Sequence, residues 1–162
     1  MHNDIMLASA MDIIQRLIDT NQTVATAESC TGGMLASLLI DIPGCSAAIH
    51  ESYVTYSDEA KHRILGVSNK TLDEYSAVSE QCAREMADGV RRISSADFGV
   101  ATTGYAGPGG GTESDPVGTV YIAVSSKSET VVYCIHCGGD RANIRKMACV
   151  KALLLLRNAL FE

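Results

Sequence analysis

The sequence has few of the features that mark membrane, exported or nucleic-acid-binding proteins. No apolar run approaches the roughly 20 residues that cross a bilayer, and residues 1–4 contain an acid but no basic segment like that of a secretion signal. Only 13 lysines and arginines stand against 19 acidic residues, so the net charge is −6. This balance does not favour a general nucleic-acid binder. We therefore predict a cytoplasmic protein with neither a membrane nor a nucleic acid as partner.

The sequence also lacks a clear metal or disulfide pattern. Its six cysteines include one C-x-x-C spacing, at Cys134 and Cys137, with no second ligand pair. Neither a zinc site nor a disulfide framework is indicated, and we expect reduced thiols and no metal. With 162 residues and 46% hydrophobic content, the chain (1–162) has the size of a single domain with a substantial core.

Apolar periodicity and turn residues predict alternating helices and strands. Helices are expected over 5–20, 34–40, 58–65, 69–75, 79–93 and 140–160, and strands over 23–28, 47–56, 97–103, 117–125 and 130–137. This order implies an α/β fold, a three-layer α/β/α sandwich whose mostly parallel sheet carries one antiparallel hairpin. In such sheets ligands bind at the carboxyl ends of the strands.

The first strand is followed directly by the residues Ser29, Cys30, Thr31, Gly32 and Gly33. A strand, a tight turn and a helix would place Ser29 at the carboxyl edge of the sheet. The N–H groups of the next three residues would then be free, because the first turn of a helix has no internal acceptors for them. This arrangement predicts a hydroxyl nucleophile beside an anion hole. Alternatively, Ser29 caps the helix and the glycines serve tight packing.

A hydroxyl nucleophile needs a base, and the four histidines of the sequence are poorly placed for that task. Lys61, one turn after the second strand, is the remaining candidate. It would act only if desolvation or a neighbouring cation lowered its pKa from about 10.4. The alternative is that Lys61 is a solvated helix residue that pairs with Asp58.

A glycine-rich loop follows the third predicted strand. After Thr103 come Gly104, Gly107, Gly109 and Gly110, in a pattern that is neither a Walker A loop nor G-x-G-x-x-G. Such a loop is suited to a backbone N–H nest for phosphate or carboxylate oxygens, and it is equally consistent with a flexible loop.

Two arginines, Arg141 and Arg145, lie one turn apart at the start of the last predicted helix. They would share one face of that helix, where they could hold a phosphate bidentately, or each could pair with an acid of its own helix.

Six segments, in order and across nearly the whole chain, resemble the motifs of the CinA C-terminal domain family. They are A-E-S-C-T-G-G from Ala27, V-T-Y-S-D-E-A-K from Val54, A-V-S from Ala77, T-G-Y-A-G-P-G-G-G from Thr103, P-V-G-T-V from Pro116 and G-D-R from Gly139. The sequence departs from the family pattern at Asp58, where asparagine is frequent. A carboxylate three residues before Lys61 favours the ammonium form of that lysine.

The resemblance implies a nicotinamide-nucleotide amidohydrolase, which converts nicotinamide mononucleotide and water to nicotinic acid mononucleotide and ammonia without a metal or organic cofactor. It implies that Ser29 is the nucleophile, that Tyr56 and Lys61 assist it, and that Thr103 and Arg141 lie on the substrate side. The frequent N-terminal domain of the family is missing, which implies a standalone form. A non-catalytic nucleotide-sensing or partner-binding module is the alternative, and homo-oligomerisation is left open.

Overall fold

The structure, a computed structural model, describes residues 2–161. The predicted helices and strands are present within three residues of their expected bounds, except that the helix expected over 58–65 is an α-helix only to Ala60. The helices are α1 (His2–Asp19), α2 (Met34–Ile40), α3 (Asp58–Ala60), α4 (Asn69–Tyr75), α5 (Glu80–Ser94) and α6 (Arg141–Phe161). The strands are β1 (Val24–Glu28), β2 (Ile49–Val54), β3 (Phe98–Gly104), β4 (Thr119–Ser125) and β5 (Thr130–His136). A 3₁₀ turn at Cys45–Ala47 precedes β2, and a π turn at Lys61–Leu65 continues α3.

The five strands form one sheet in the order β2-β1-β3-β4-β5. Strand β1 pairs in parallel with β2 and β3, whereas β4 runs antiparallel to both β3 and β5. Four strands therefore point the same way, and the predicted three-layer α/β sandwich with its antiparallel hairpin is confirmed. The carboxyl ends of β2, β1 and β3 lie side by side at one edge of the sheet.

One face of the sheet is covered by α1, α2 and α6. Large aliphatic side chains fill this layer, including Ile13, Leu17, Val100, Ile122 and Leu153, each at most 1% exposed. Burial of each such side chain contributes about 1.5–3 kcal/mol, so this layer supplies most of the apolar core. None of the helices within residues 2–161 is long and apolar enough to cross a membrane.

The opposite face of the sheet is lined by alanines, which allow α5 to lie close to the strands. A Cβ atom at Gly99 would lie 2.3 Å from the Ala87 carbonyl oxygen, and one at Gly89 would lie 2.1 Å from the Leu65 carbonyl oxygen. No side chain fits at either contact. Helix α5 therefore packs directly against both the sheet and the π turn that carries Lys61.

Candidate active site

A cleft of about 190 Å³ opens at the carboxyl ends of β1, β2 and β3. Five separate parts of the chain line it, and their residues are Ser29, Cys30, Tyr56, Asp58, Lys61, Ala77, Val78, Thr103, Gly104, Tyr105, Ala106 and Arg141. The structure thus brings together the three strand ends that the sequence singled out, the 77–78 segment and Arg141 of α6.

Lys61 contacts the hydroxyl group of Ser29 at the base of this cleft. Its Nζ atom donates to Ser29 Oγ at 3.2 Å, to the Thr55 carbonyl at 3.0 Å and to the Tyr56 carbonyl at 3.4 Å. The side chain is only 1% exposed, and this burial lowers the pKa of Lys61, an effect that the charge of Asp58 partly opposes. Lys61 is therefore not a solvated residue paired with Asp58, which was the alternative.

The backbone around Lys61 is wider than an α-helix. Ser57 caps α3 by accepting from the Ala60 N–H at 3.1 Å, and the chain then makes the π turn, which Gly66 ends with a positive φ. Such π turns occur frequently at functional sites. The apolar pattern predicted an ordinary helix here, because a π turn leaves no distinct mark in the sequence.

Glu28, the last residue of β1, lies next to Ser29 and supports the turn, a role that the sequence pattern did not predict. Its carboxylate is 1% exposed and accepts from the Gly33 and Leu35 N–H groups, both at 3.0 Å, and from the Ala36 N–H at 2.8 Å. The first turn of α2 is thus occupied by Glu28 and is not available to a ligand. Ser29 is not the helix cap, because Gly33 holds that position and makes no side-chain cap bond.

The expected anion hole is smaller than predicted. The Gly32 N–H donates to the Ser29 carbonyl at 3.1 Å, and the Gly33 N–H donates to Glu28, so neither glycine offers a free donor. The N–H groups of Cys30 and Thr31 donate to no oxygen atom among residues 2–161. These two donors, directly after Ser29, are what is left of the predicted anion hole, and of the two residues Cys30 lines the cleft whereas Thr31 is buried beside it.

The Cys30 thiol lies next to Ser29 in the cleft but is poorly suited to attack. Burial raises its pKa to about 12, so the thiol is protonated at neutral pH. Lys61 Nζ donates to Ser29 Oγ and makes no hydrogen bond with the Cys30 thiol, so of these two side chains only Ser29 has the lysine as a hydrogen-bond partner.

The residues at the end of β3 differ in their roles. Thr103 is buried and donates its hydroxyl to the Ala77 carbonyl at 2.7 Å, which ties the 77–78 segment to the cleft. Gly104 lines the cleft and packs against β4. Gly107 offers its carbonyl to Arg141, whereas Gly109 and Gly110 lie outside the cleft lining.

The two arginines of α6 contact different groups, which corrects the expectation of a shared phosphate clamp. Arg141 donates to the Gly107 carbonyl at 2.8 Å and to the Tyr56 hydroxyl at 3.0 Å, at the rim of the cleft. Arg145 donates to the Cys30 carbonyl at 3.1 Å and to the Thr31 carbonyl at 2.8 Å, beneath the Ser29 turn.

Tyr56 meets Lys61 only through its backbone. Its carbonyl oxygen accepts from Lys61, whereas its hydroxyl accepts from Arg141. The side chain is 60% exposed and stands at the entrance of the cleft.

The chain is similar to known proteins over most of its length. Residues 7–160 match the CinA C-terminal domain family. A CinA-like protein from Fervidobacterium nodosum is 45% identical over 150 residues, which cover 93% of this chain and 37% of that protein. The chain spans about a third of the length of the curated relatives it matches.

Solved structures share the whole fold. The competence/damage inducible protein CihA from Agrobacterium tumefaciens is 39% identical, with a TM-score of 0.94 over 98% of this chain and 96% of that one. A CinA superfamily protein from Klebsiella pneumoniae is 35% identical, with a TM-score of 0.92 over 96% of this chain and 98% of that one. Because the family match extends over nearly the whole chain, this protein belongs to the CinA C-terminal domain family.

Proposed function

We propose that the chain hydrolyses the carboxamide of nicotinamide mononucleotide, releasing nicotinic acid mononucleotide and ammonia, with Ser29 as nucleophile and Lys61 as base. The observation that carries this proposal is the 3.2 Å contact between Lys61 Nζ and Ser29 Oγ, made by a buried lysine whose pKa is lowered. Membership of the CinA family and the resemblance of its motifs to those of nicotinamide-nucleotide amidohydrolases support the choice of substrate.

The proposed chemistry has two stages. Neutral Lys61 takes the Ser29 proton, and Oγ attacks the carboxamide carbon, while the N–H groups of Cys30 and Thr31 stabilise the oxyanion. When the C–N bond breaks, Lys61 returns the proton to the departing ammonia. Water then attacks the acyl-enzyme in the same manner, which releases the acid and restores Ser29.

The dimensions of the cleft suit part of a nucleotide. Its volume of about 190 Å³ lies below the roughly 300–1,000 Å³ of sites that enclose a drug-sized ligand. We expect it to hold the pyridinium ring and the carboxamide, and the ribose phosphate to lie along the rim near Arg141 and the glycine loop. Phosphate binding at the rim would then orient the reacting amide, because binding energy away from the reaction centre can be used for positioning.

Ammonia release from nicotinamide mononucleotide tests this proposal directly. The wild-type protein should release ammonia and nicotinic acid mononucleotide at the same rate with and without a metal chelator, and Ser29→Ala should not. A wild-type protein that binds the nucleotide without hydrolysing it would contradict the proposal and favour the non-catalytic nucleotide-sensing module. Activity that disappears with the chelator would contradict the metal-free serine mechanism.

A further inference from the structure

The turn that carries Ser29 lies between two charged side chains that the proposed chemistry does not use. Glu28 accepts three backbone N–H groups on one side, at Gly33, Leu35 and Ala36. Arg145 donates to two backbone carbonyls on the other side. Both charged groups are bonded to the backbone of the turn and of the helix start that follows it.

Arg145 reaches this turn from a distant part of the chain. Its Nε atom donates to the Cys30 carbonyl at 3.1 Å and its Nη2 atom donates to the Thr31 carbonyl at 2.8 Å. A Cβ atom at Gly32 would lie 3.3 Å from the same Nη2 atom, so the guanidinium packs closely against the turn. The side chain is half-buried and, like the side chain of the buried Thr31, does not line the cleft, so its contact with the site is made through the backbone of the Ser29 turn.

The hydrogen bonds of the turn show which of its backbone N–H groups have no acceptor. The N–H of Ser29 donates to the Thr102 carbonyl at 2.9 Å, and those of Gly32 and Gly33 are bonded as described above. Of the N–H groups of residues 29–33, only those of Cys30 and Thr31 have no oxygen acceptor among residues 2–161. The Thr31 N–H and the Cys30 carbonyl belong to one peptide group. The guanidinium thus holds the carbonyl of one of the two peptide groups whose N–H has no oxygen acceptor.

We propose, on the basis of the function proposed above, that Arg145 is a positioning residue for the oxyanion site. It fixes the orientation of the Cys30–Thr31 peptide, and its charge polarises that peptide so that the Thr31 N–H becomes a stronger donor. Hydrogen bonds in a chain strengthen one another in this way, and the effect grows where water is excluded. The arginine thereby acts on the reaction without contacting the substrate.

A lysine cannot replace this arginine. The guanidinium presents several donors in a planar fork, and two of them contact two successive carbonyls, whereas an ammonium is a point charge on a flexible stem. Loss of a single oxyanion donor costs about 10²–10³-fold in kcat. Weakening of one donor should cost less, so we expect Arg145→Lys and Arg145→Met to lower kcat about 10–100-fold and to leave KM for nicotinamide mononucleotide within about threefold of wild type.

A matched control is available on the same helix. Arg157 is exposed and pairs with Asp12 at 2.9 Å, far from the cleft, so Arg157→Met should keep the wild-type kcat. Adding guanidinium ion to Arg145→Met should restore part of the lost kcat. A higher KM with unchanged kcat would overturn the proposal, because Arg145 would then bind substrate. A loss of kcat that only follows a lower melting temperature, without rescue of Arg145→Met by guanidinium, would overturn it in favour of a structural role.

Acylation of Ser29 by p-nitrophenyl acetate separates this inference from the choice of substrate. The reaction passes through an oxyanion but requires no nucleotide or phosphate. If the wild type does not hydrolyse nicotinamide mononucleotide, yet Ser29 is acetylated more slowly in Arg145→Lys than in wild type, the role of Arg145 stands and the proposed function fails. If both Arg145 variants are acetylated at the wild-type rate, or if wild-type Ser29 is not acetylated at all, the inference about Arg145 fails.

Discussion

Lys61 is surrounded by groups that act on its charge in opposite directions. Three oxygen acceptors and the nearby Asp58 favour the ammonium form, whereas removal from water favours the neutral amine. Removal from water is the larger effect, so the pKa of Lys61 is lowered. Only the neutral amine can accept a proton from Ser29, and burial is therefore what would allow this lysine to serve as a base.

The nucleophile is the first residue to test. Ser29→Ala removes the only atom that Lys61 contacts in this turn, so we expect it to lower kcat for nicotinamide mononucleotide at least about 10³-fold and to keep binding within roughly tenfold. Steady-state ammonia release measures kcat, and a direct titration measures the Kd for nicotinamide mononucleotide.

Cys30→Ala is the matched control for that substitution. Because burial keeps the thiol protonated, its removal should change kcat only slightly. If Ser29→Ala keeps near-normal turnover and Cys30→Ala loses it, Cys30 and not Ser29 is the nucleophile.

Lys61 should give the reaction a specific pH dependence. Because only neutral Lys61 can act, kcat/KM should rise with pH through one ionisation, centred below the ordinary lysine pKa of 10.5. The negative charge of Asp58 raises the pKa of Lys61, so Asp58→Asn should move the rise to lower pH. The measurement is the pH profile of kcat/KM for both proteins.

Lys61→Met identifies the group that titrates. The methionine side chain keeps much of the buried volume but has no proton to exchange, so this variant should lose both the activity and the rise with pH. A Lys61→Met protein with near-normal turnover and an unchanged profile would exclude Lys61 as the base.

At the scale of elements, the strands and helices were predictable and the details that shape the site were not. Apolar periodicity and turn residues predict each element because these signals are local. The helix expected over 79–93, for example, begins at Ser79, which caps α5 by accepting from the Cys82 N–H at 3.1 Å. The role of Glu28 was missed because its carboxylate bonds the helix that follows it, across the turn. The π turn was missed because its residues are ordinary helix residues.

Glu28 should be essential to the junction between β1 and α2. In Glu28→Gln an amide would replace the carboxylate and would present a donor where three backbone N–H groups require acceptors. Because hydrogen bonds to a charged group are worth about 1.5–3 kcal/mol, we expect the free energy of unfolding to fall by about 2–4 kcal/mol. Urea unfolding followed by circular dichroism measures this loss.

An exposed glutamate supplies the comparison for that measurement. Glu59 lies on the surface of α3, and Glu59→Gln should change the free energy of unfolding by less than about 0.5 kcal/mol. Equal stability of the two variants would show that Glu28 does not hold the start of α2.

At the scale of the whole molecule, the cleft combines strand ends with one residue of the last helix. The strand ends could be predicted, because the carboxyl ends of parallel strands meet at one edge. The different contacts of Arg141 and Arg145 could not be predicted. Arg141 bonds to Gly107 and Arg145 bonds to Cys30, which lie 34 and 115 residues away in the sequence, and local periodicity contains no information about such contacts.

The hydrogen bond of the Tyr56 hydroxyl is another long-range contact that could not be predicted from the sequence, and it can be tested by substitution. The family resemblance implies that its side chain assists Ser29, whereas the structure places its hydroxyl on Arg141. We therefore expect Tyr56→Phe to weaken nicotinamide mononucleotide binding about two- to tenfold, the scale of one hydrogen bond, and to leave the rate of Ser29 acetylation by p-nitrophenyl acetate unchanged. If acetylation slows instead and nucleotide affinity is retained, the hydroxyl acts on the nucleophile.

Arg141 connects α6, the glycine loop and the segment after β2, so it is placed to recognise the part of the substrate that extends beyond the cleft. Its guanidinium is exposed at the rim and contacts no acid among the described residues, since it donates to Gly107 and Tyr56. We expect Arg141→Met to weaken nicotinamide mononucleotide binding by about 1.5–3 kcal/mol, which is about 10–150-fold in Kd. Plain nicotinamide, which has no phosphate, should bind both proteins alike in the same calorimetric titration. Equal losses for the two ligands would mean that Arg141 supports the cleft itself, through Gly107 and Tyr56, and does not recognise the phosphate.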